Sequence, residues 1–342
     1  MANCEEMLND CLKKIAIDQN YENYEITIKA ISSGGANYTS ALYLATIQAP
    51  GKDDLKLFAK IAAIGEKIRS VSPYKLYETE SLFYNYILKK YKELEERNNV
   101  PAEYRFATPK YYGGSDEYLK EVYVFEDLTS KGFTTYDRFK SIDWEYTSKC
   151  LENLARFHAL SIAFSQSEPE EFENLNITKD HRESEEALGF IRDVIANALT
   201  VTREENRDRL SKFMYGLVEN KEVKKFYRSY KRPVIGHGDY RPSNMMHRKH
   251  NGKLELISVD YQMLQLGNPI VDILYFIFNG SDKKFRDEYF KQSFDHYYEE
   301  LSKALKRLHL DPEQLYSRED FDFEVKTRHQ LPLSFLFKGV LK

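Results

Sequence analysis

Cysteine is scarce in this chain: Cys4, Cys11 and Cys150 are the only three among 342 residues. An odd count without close pairs excludes a disulfide framework and a C-x-x-C zinc site, and points to a reducing compartment. Long apolar runs are missing too. The most apolar stretch, IVDILYFIFNG, is short and contains Asp272, so no membrane span is expected. Basic runs are equally absent. With 50 basic and 54 acidic residues the net charge is −4. Short clusters such as KKFYR (224–228) read as solvated helix faces, and a nucleic acid is not expected as partner. The opening MANCEEMLNDCLKKIA carries acids and has no basic segment followed by an apolar one. It does not read as a signal peptide, and a cytoplasmic protein is expected.

What the chain has in plenty is aromatic residues, at 14%: 26 Tyr and 21 Phe against the single Trp144. They suit a core, and some could line a pocket for a flat or apolar ligand. At 42% hydrophobic the chain can bury a sizeable core, and its length suits two domains sharing a cleft. Residues 5–16 have the spacing of a short amphipathic helix. YEITIKAI, SALYLATIQA and LKLFAKIA then alternate or are rich in β-branched and aromatic residues, with SSGGAN and PGKDD between them. These are strands joined by turns. KLYETESLFYNYILKKYKEL has helical spacing, and PKYYGG and EVYVFEDL return to strand.

Beyond LTSKGFTT the character changes. DWEYTSKCLENLARFHALSIAF predicts a long helix capped by Asp143, and two or three more helices fall in roughly 182–230. PVIGHGD and LELISVDYQ read as short strands. Asn268 and Pro269 open a helix over NPIVDILYFIF, and charged helices occupy roughly 283–309 and 318–329. The expected division is therefore a sheet-rich domain over 1–129 and a helix-rich one over 130–342.

Asp239, Asn244 and Asp260 carry the chemistry. HGDYRPSN follows the PVIG strand. Asp260 ends the LISV strand, and MMHRKHNGKLELISVD folds back as a hairpin that returns it to the loop. Taken singly, each residue is ordinary turn or strand-end chemistry. Together they turn two acids and an amide toward one point. Such hard oxygen ligands suit Mg²⁺ sharing its shell with phosphate and water.

H-G-D-x-x-x-x-N followed by V-D-Y-Q resembles the catalytic loop and metal-binding segment of kinase-like small-molecule phosphotransferases, among them aminoglycoside phosphotransferases and choline kinases. SSGGANYTSALY, ETESLFY, VFEDL, LARFHALS, HGDYRPSNMM and VDYQ…GNPIVDILYF, in that order, resemble the ecdysteroid kinase-like family of insects more finely. The resemblance implies an α+β, bilobal, protein-kinase-like fold, with an N-terminal antiparallel sheet and one helix, and a mainly helical C-terminal lobe. It implies ATP and Mg²⁺, and transfer of the γ-phosphoryl group to a hydroxyl of a small molecule, an ecdysteroid or a xenobiotic alcohol met in detoxification. A choline- or aminoglycoside-type kinase and a nucleotide-binding pseudokinase are the alternatives. Protein kinase activity is disfavoured, since D-F-G, H-R-D and A-P-E are absent.

By the same resemblance Asp239 is the catalytic aspartate, and Asn244 and Asp260 are catalytic metal ligands, with Gln262 beside them. Lys60 holds the α and β phosphates. Glu66, Glu78 and Glu80 all compete as its partner, and Glu80 is preferred because it opens the family's E-x-x-F-Y. Gly34 and Gly35 cover the phosphates, with Asn37 and Ser40 matching G-x-N-x-x-S. The carbonyl of Glu126 and the amide of Leu128 bond adenine, with Phe125 behind it. His237 orients the loop, His158 packs against it, and Asp272 accepts from its backbone amides. Tyr240 and Tyr261 keep the aromatic character of their positions. LPLSFLFKGVLK stops where relatives continue. A short isoform or a fragment, missing part of the substrate wall, is expected.

Overall fold

The computed structural model describes residues 4–32, 39–71, 75–175, 177, 185–220 and 228–327. Its first layer is a five-stranded antiparallel sheet of order β1-β2-β3-β5-β4. The strands are β1 (Glu25–Ile31), β2 (Ser40–Gln48), β3 (Leu55–Ala62), β4 (Tyr111–Ser115) and β5 (Val122–Glu126). Because side chains alternate across a strand, each face is set by one parity of residues. Ala45, Ile47, Leu57, Ala59, Ile61, Val122 and Val124 bury against Leu8, Leu12 and Ile15 of α1 (Cys4–Asp18). The opposite parity turns Leu42, Leu44, Phe58, Lys60 and Phe125 inward to the cleft. Alternation alone therefore places Lys60 beside Phe58, facing away from α1.

Between β3 and β4 runs a helical rod. It comprises α3 (Leu76–Leu82), a π-helical turn (Phe83–Ile87) and α4 (Leu88–Arg97). A short α2 (Glu66–Val71) precedes it, a second helix where the sequence predicted one. Phe83 of the π turn stacks on Tyr261 at 3.8 Å between centroids, and Tyr84 packs on Phe125. One aromatic core thus joins the rod to the helical lobe.

In that lobe α5 (Trp144–Ser167) starts at Asp143, whose side chain accepts from the Tyr146 amide as predicted. Beside it lie β6 (Thr134–Thr135), α6 (Pro169–Glu173), α7 (Glu185–Val201), α8 (Glu204–Glu219) and β7 (Val234–Gly236). The hairpin of β8 (Met245–His250) and β9 (Lys253–Ser258) turns at Asn251 and Gly252, both at positive φ, as an Asn-Gly hairpin requires. The strand β10 (Gln265–Gly267) pairs with β7. The helix α9 (Ile270–Gly280) begins one residue later than expected, with Asn268 Oδ1 accepting from the Ile270 amide. The helices α10 (Lys283–Arg307), α11 (Pro312–Leu315) and α12 (Arg318–Thr327) complete the described chain. The bilobal α+β architecture expected from the sequence is the one observed. The expected helix over 224–228 and the LPLSFLFKGVLK segment fall largely or wholly outside the described residues.

Candidate functional site

The loop 237–244 is built from beneath. Asp272, in the first turn of α9, accepts from the amides of His237 (2.7 Å) and Gly238 (2.9 Å). His158 of α5 meets the same carboxylate through Nε2 at 3.2 Å, and Tyr297 through Nδ1 at 2.6 Å. Burial raises the Asp272 pKa, but the hydrogen bond and charge of His158, with His237 and the Gly238 amide, outweigh it and hold the carboxyl below its ordinary value. Gly238 sits at φ +75, where a Cβ would meet Met263 O at 1.9 Å, so only glycine fits here.

His237 is fully buried, and burial lowers its pKa. The neutral ring has a single consistent tautomer. Nε2–H donates to Val259 O (3.1 Å), and Nδ1 accepts the Asp239 amide (3.3 Å). It orients the loop, as the sequence reading expected of it. Tyr240 is buried and donates to Cys150 O at 2.6 Å, which fixes the next residue to α5.

These contacts leave Asp239 8% exposed, hydrogen-bonded to Arg241 and Asn244, which line the cleft. Its Oδ1 accepts from Tyr275 OH at 2.6 Å. Its Oδ2 accepts from Asn244 Nδ2 and Arg241 Nε, both at 3.0 Å. Asn244 Nδ2 also donates to Asp239 O (2.9 Å). With its amino group committed twice, the amide oxygen of Asn244 is the atom left for a ligand. The Asn244 carbonyl accepts from the Val259 amide at 2.9 Å, and so the loop is tied to the residue before Asp260.

Asp260 adopts the left-handed conformation, φ 72 and ψ 63. That region is uncommon outside glycine, though aspartate tolerates it better than most residues. Its Oδ1 accepts from Lys60 Nζ at 2.8 Å, and Lys60 also donates to both oxygens of Glu80, at 2.8 and 2.7 Å. Lys60 and Glu80 are buried, so neither charge is left to water. Burial alone would lower the Lys60 pKa, but Asp260 and Glu80 more than reverse this and raise it, so the ammonium persists. Of the three glutamates that competed as its partner, Glu80 is the one bonded to it. Gln262 donates to Asp260 Oδ2 at 3.4 Å and accepts from Thr39 Oγ1, just before β2, at 3.3 Å. Ser40 opens β2 opposite Ala62. Gly34, Gly35 and Asn37 lie outside the described residues.

Lys60, Glu80, Asn244 and Asp260 border one cavity of about 740 Å³ between the lobes. Leu42, Leu44 and Phe58 wall it from the sheet, and Met246 and Val259 from the β8–β9 hairpin. Phe125 closes its back, and Glu126 and Leu128 lie at the strand end that joins the lobes. The Leu128 carbonyl accepts from the Lys131 and Phe133 amides, while its own N–H donates to no described residue.

Two groups of the site escaped the sequence reading, Arg241 and Tyr275. The signal for Tyr275 was its i, i+3 spacing from Asp272, which puts both on one helix face. Arg241 had only its position, two residues after Asp239.

No curated protein matches the chain. Among solved structures it is similar to a Plasmodium vivax ethanolamine kinase, at 13% identity over 92% of this chain and 84% of that one, with TM-score 0.40. A microcompartment-associated aminopropanol kinase is 12% identical over 95% of each chain, TM-score 0.44. An aminoglycoside-3'-phosphotransferase of type VIII is 16% identical over 96% of each, TM-score 0.37. The profile of the ecdysteroid kinase-like family matches residues 34–310, from the Gly34–Gly35 pair to just past the end of α10. With most of its length and all of the cleft's charged residues inside that match, the chain belongs to the ecdysteroid kinase-like family, and by that membership is a small-molecule phosphotransferase.

Proposed function

We propose that the protein moves the γ-phosphoryl group of ATP to a hydroxyl of an apolar alcohol, an ecdysteroid or a xenobiotic. The observation that carries this reading is one cleft bordered by a buried Lys60–Glu80 pair, Asp260 and the Asp239–Asn244 loop. In this reading residues 1–129 form the nucleotide-binding lobe and 130–342 the catalytic and substrate lobe.

Adenine enters between Leu42, Leu44 and Phe58 on one side and Met246 and Val259 on the other. The unspent Leu128 N–H and the Glu126 carbonyl supply its polar contacts. Gly34, Gly35, Asn37 and Ser40 cover the phosphates, and Gln262 steadies Asp260 against that turn. All three protons of the Lys60 ammonium are committed in the free protein. Nucleotide binding exchanges the Asp260 bond for a phosphate oxygen, and Glu80 keeps the lysine extended.

The donor set fits magnesium. Asn244 offers one amide oxygen and Asp260 one carboxylate, and among the described residues no group of three His, Cys, Asp or Glu is placed to hold a metal alone. Two hard oxygens are what Mg²⁺ takes from a protein when phosphates complete its shell. Held there, it would neutralise charge on the phosphates.

Three of the four lone-pair positions on Asp239 are filled, by Tyr275, Arg241 and Asn244. The fourth, on Oδ1, accepts the acceptor hydroxyl. As the P–O bond to the new ester forms and the bond to the ADP oxygen breaks, the hydroxyl proton passes to that atom. In a loose transition state this transfer is late, and holding the nucleophile in line matters more than basicity.

The cleft runs past Leu128 to Tyr136 and to Phe139, a residue that is 85% exposed. Aromatic surface at the mouth favours an apolar ring system over a small cation. The test is a panel of alcohols with ATP and Mg²⁺, read as mass gain of one phosphate. A steroid or plant alcohol should gain it and choline and an aminoglycoside should not. Gain on choline alone would move the acceptor class, and gain on none would favour a nucleotide-binding protein without turnover.

A further inference from the structure

We propose that Arg241 is a second catalytic group of the cleft, one that binds the transferring phosphoryl group and links it to Asp239. The proposal rests on the phosphotransfer reading above. Arg241 borders the cavity together with Asn244 and Asp260. Its Nε donates to Asp239 Oδ2 at 3.0 Å, and its side chain is only 14% exposed. That one bond is all the guanidinium makes among the described residues. Its two Nη groups, four N–H donors, are therefore uncommitted in a largely water-excluded place. They hang from a head whose angle is fixed by the carboxylate that receives the acceptor's proton.

The cation is not needed to hold the loop. Asp272 supports the His237 and Gly238 amides, and Asn244 and Tyr275 hold the Asp239 carboxylate without it. A half-satisfied guanidinium beside a phosphoryl path has a clear use. Its planar fork can keep Nε on Asp239 while Nη donates to an equatorial oxygen of the γ-phosphoryl group. Negative charge is spread over those oxygens as the bond to ADP breaks and the bond to the acceptor forms, with the hydroxyl proton going to Asp239. A donor fixed beforehand in a low-dielectric site favours that state over the ground state. Lysine has three donors on one nitrogen, so it could make both contacts only where that one atom reached the carboxylate and the phosphoryl oxygen together, whereas the guanidinium spreads them over separate nitrogens.

The experiment compares thermal unfolding of wild type and Arg241→Met with MgADP, and with MgADP plus aluminium fluoride, which mimics the transferring group. Both proteins should gain the same stabilisation from MgADP. Aluminium fluoride should add a further rise in Tm to wild type and none to the variant, and kcat should fall by about 10²- to 10³-fold. Arg241→Lys should recover part of kcat. An aluminium fluoride increment equal in the two proteins, or absent from wild type that binds MgADP, would overturn the role given to Arg241. Wild type that gains nothing from MgADP would overturn the nucleotide site itself, and Arg241 with it. If Arg241→Met does not fold, Arg241→Gln, which keeps a donor for Asp239, serves in the same comparison with the same outcomes.

Discussion

Asp239→Asn should lower kcat by about 10²- to 10⁴-fold, the span over which a positioned base contributes. Asparagine can still accept from Tyr275 through its oxygen, so the loop keeps its shape and Tm should move by no more than a few degrees. It cannot take up the acceptor's proton. Its amino group also faces donors where Oδ2 met Arg241 and Asn244, which misaligns the nucleophile as well. MgATP should still raise Tm as it does for wild type, because Lys60, Glu80 and Asp260 are untouched. The check is single-turnover transfer alongside nucleotide-induced stabilisation. Near-normal turnover in this variant would remove Asp239 from the chemistry.

Asp272→Ala should be the most destabilising single change at the site. The carboxylate is buried and satisfies the His237 and Gly238 amides and His158. Removing it leaves two backbone donors and an imidazole in a place water does not reach. Losing a buried, hydrogen-bonded charge costs about 3–5 kcal/mol, which for a domain of this size lowers Tm by on the order of 10 °C. The pH dependence has a definite sign. Asp272 is held below its ordinary value of 3.8. The stability it contributes is therefore complete above that value, and is lost as pH falls through the lower value of the folded state. Chemical denaturation of wild type and variant should show the gap at neutral pH and a narrowing gap below about pH 4. A gap that widened on acidification would contradict the assignment.

The site was legible wherever local chemistry and periodicity agreed. Period-2 alternation put Lys60 on one sheet face, either exposed or recruited, and the family resemblance gave it the cleft role; the Asn251–Gly252 turn forced the hairpin that returns Asp260 to the loop. Asp143 and Asn268 announced their helices because a side-chain oxygen before a run of apolar spacing has one good use. What was hidden depends on contacts between segments distant in sequence. Tyr275 lies in an apolar run and reads as core until α9 is seen to carry it 2.6 Å from Asp239. Arg241 reads as a loop residue until the cavity is drawn. The π turn at Phe83–Ile87 has no signature of its own. The stacking of Phe83 on Tyr261 and the packing of Tyr84 on Phe125 are long-range, and no window of sequence contains them.

Lys60 has a consequence for order of binding. It already occupies Asp260, so in the free protein that carboxylate is half-neutralised by the protein's own cation. Magnesium alone should find a poor site, and the metal–nucleotide complex a good one. Thermal unfolding with ATP, with and without Mg²⁺, in wild type and Asp260→Ala tests the convergence of loop and strand end most directly. Wild type should be stabilised by ATP far more in the presence of Mg²⁺, and Asp260→Ala should show no such difference. Mg²⁺-dependent protection that survives unchanged in Asp260→Ala would place the metal elsewhere and contradict the account.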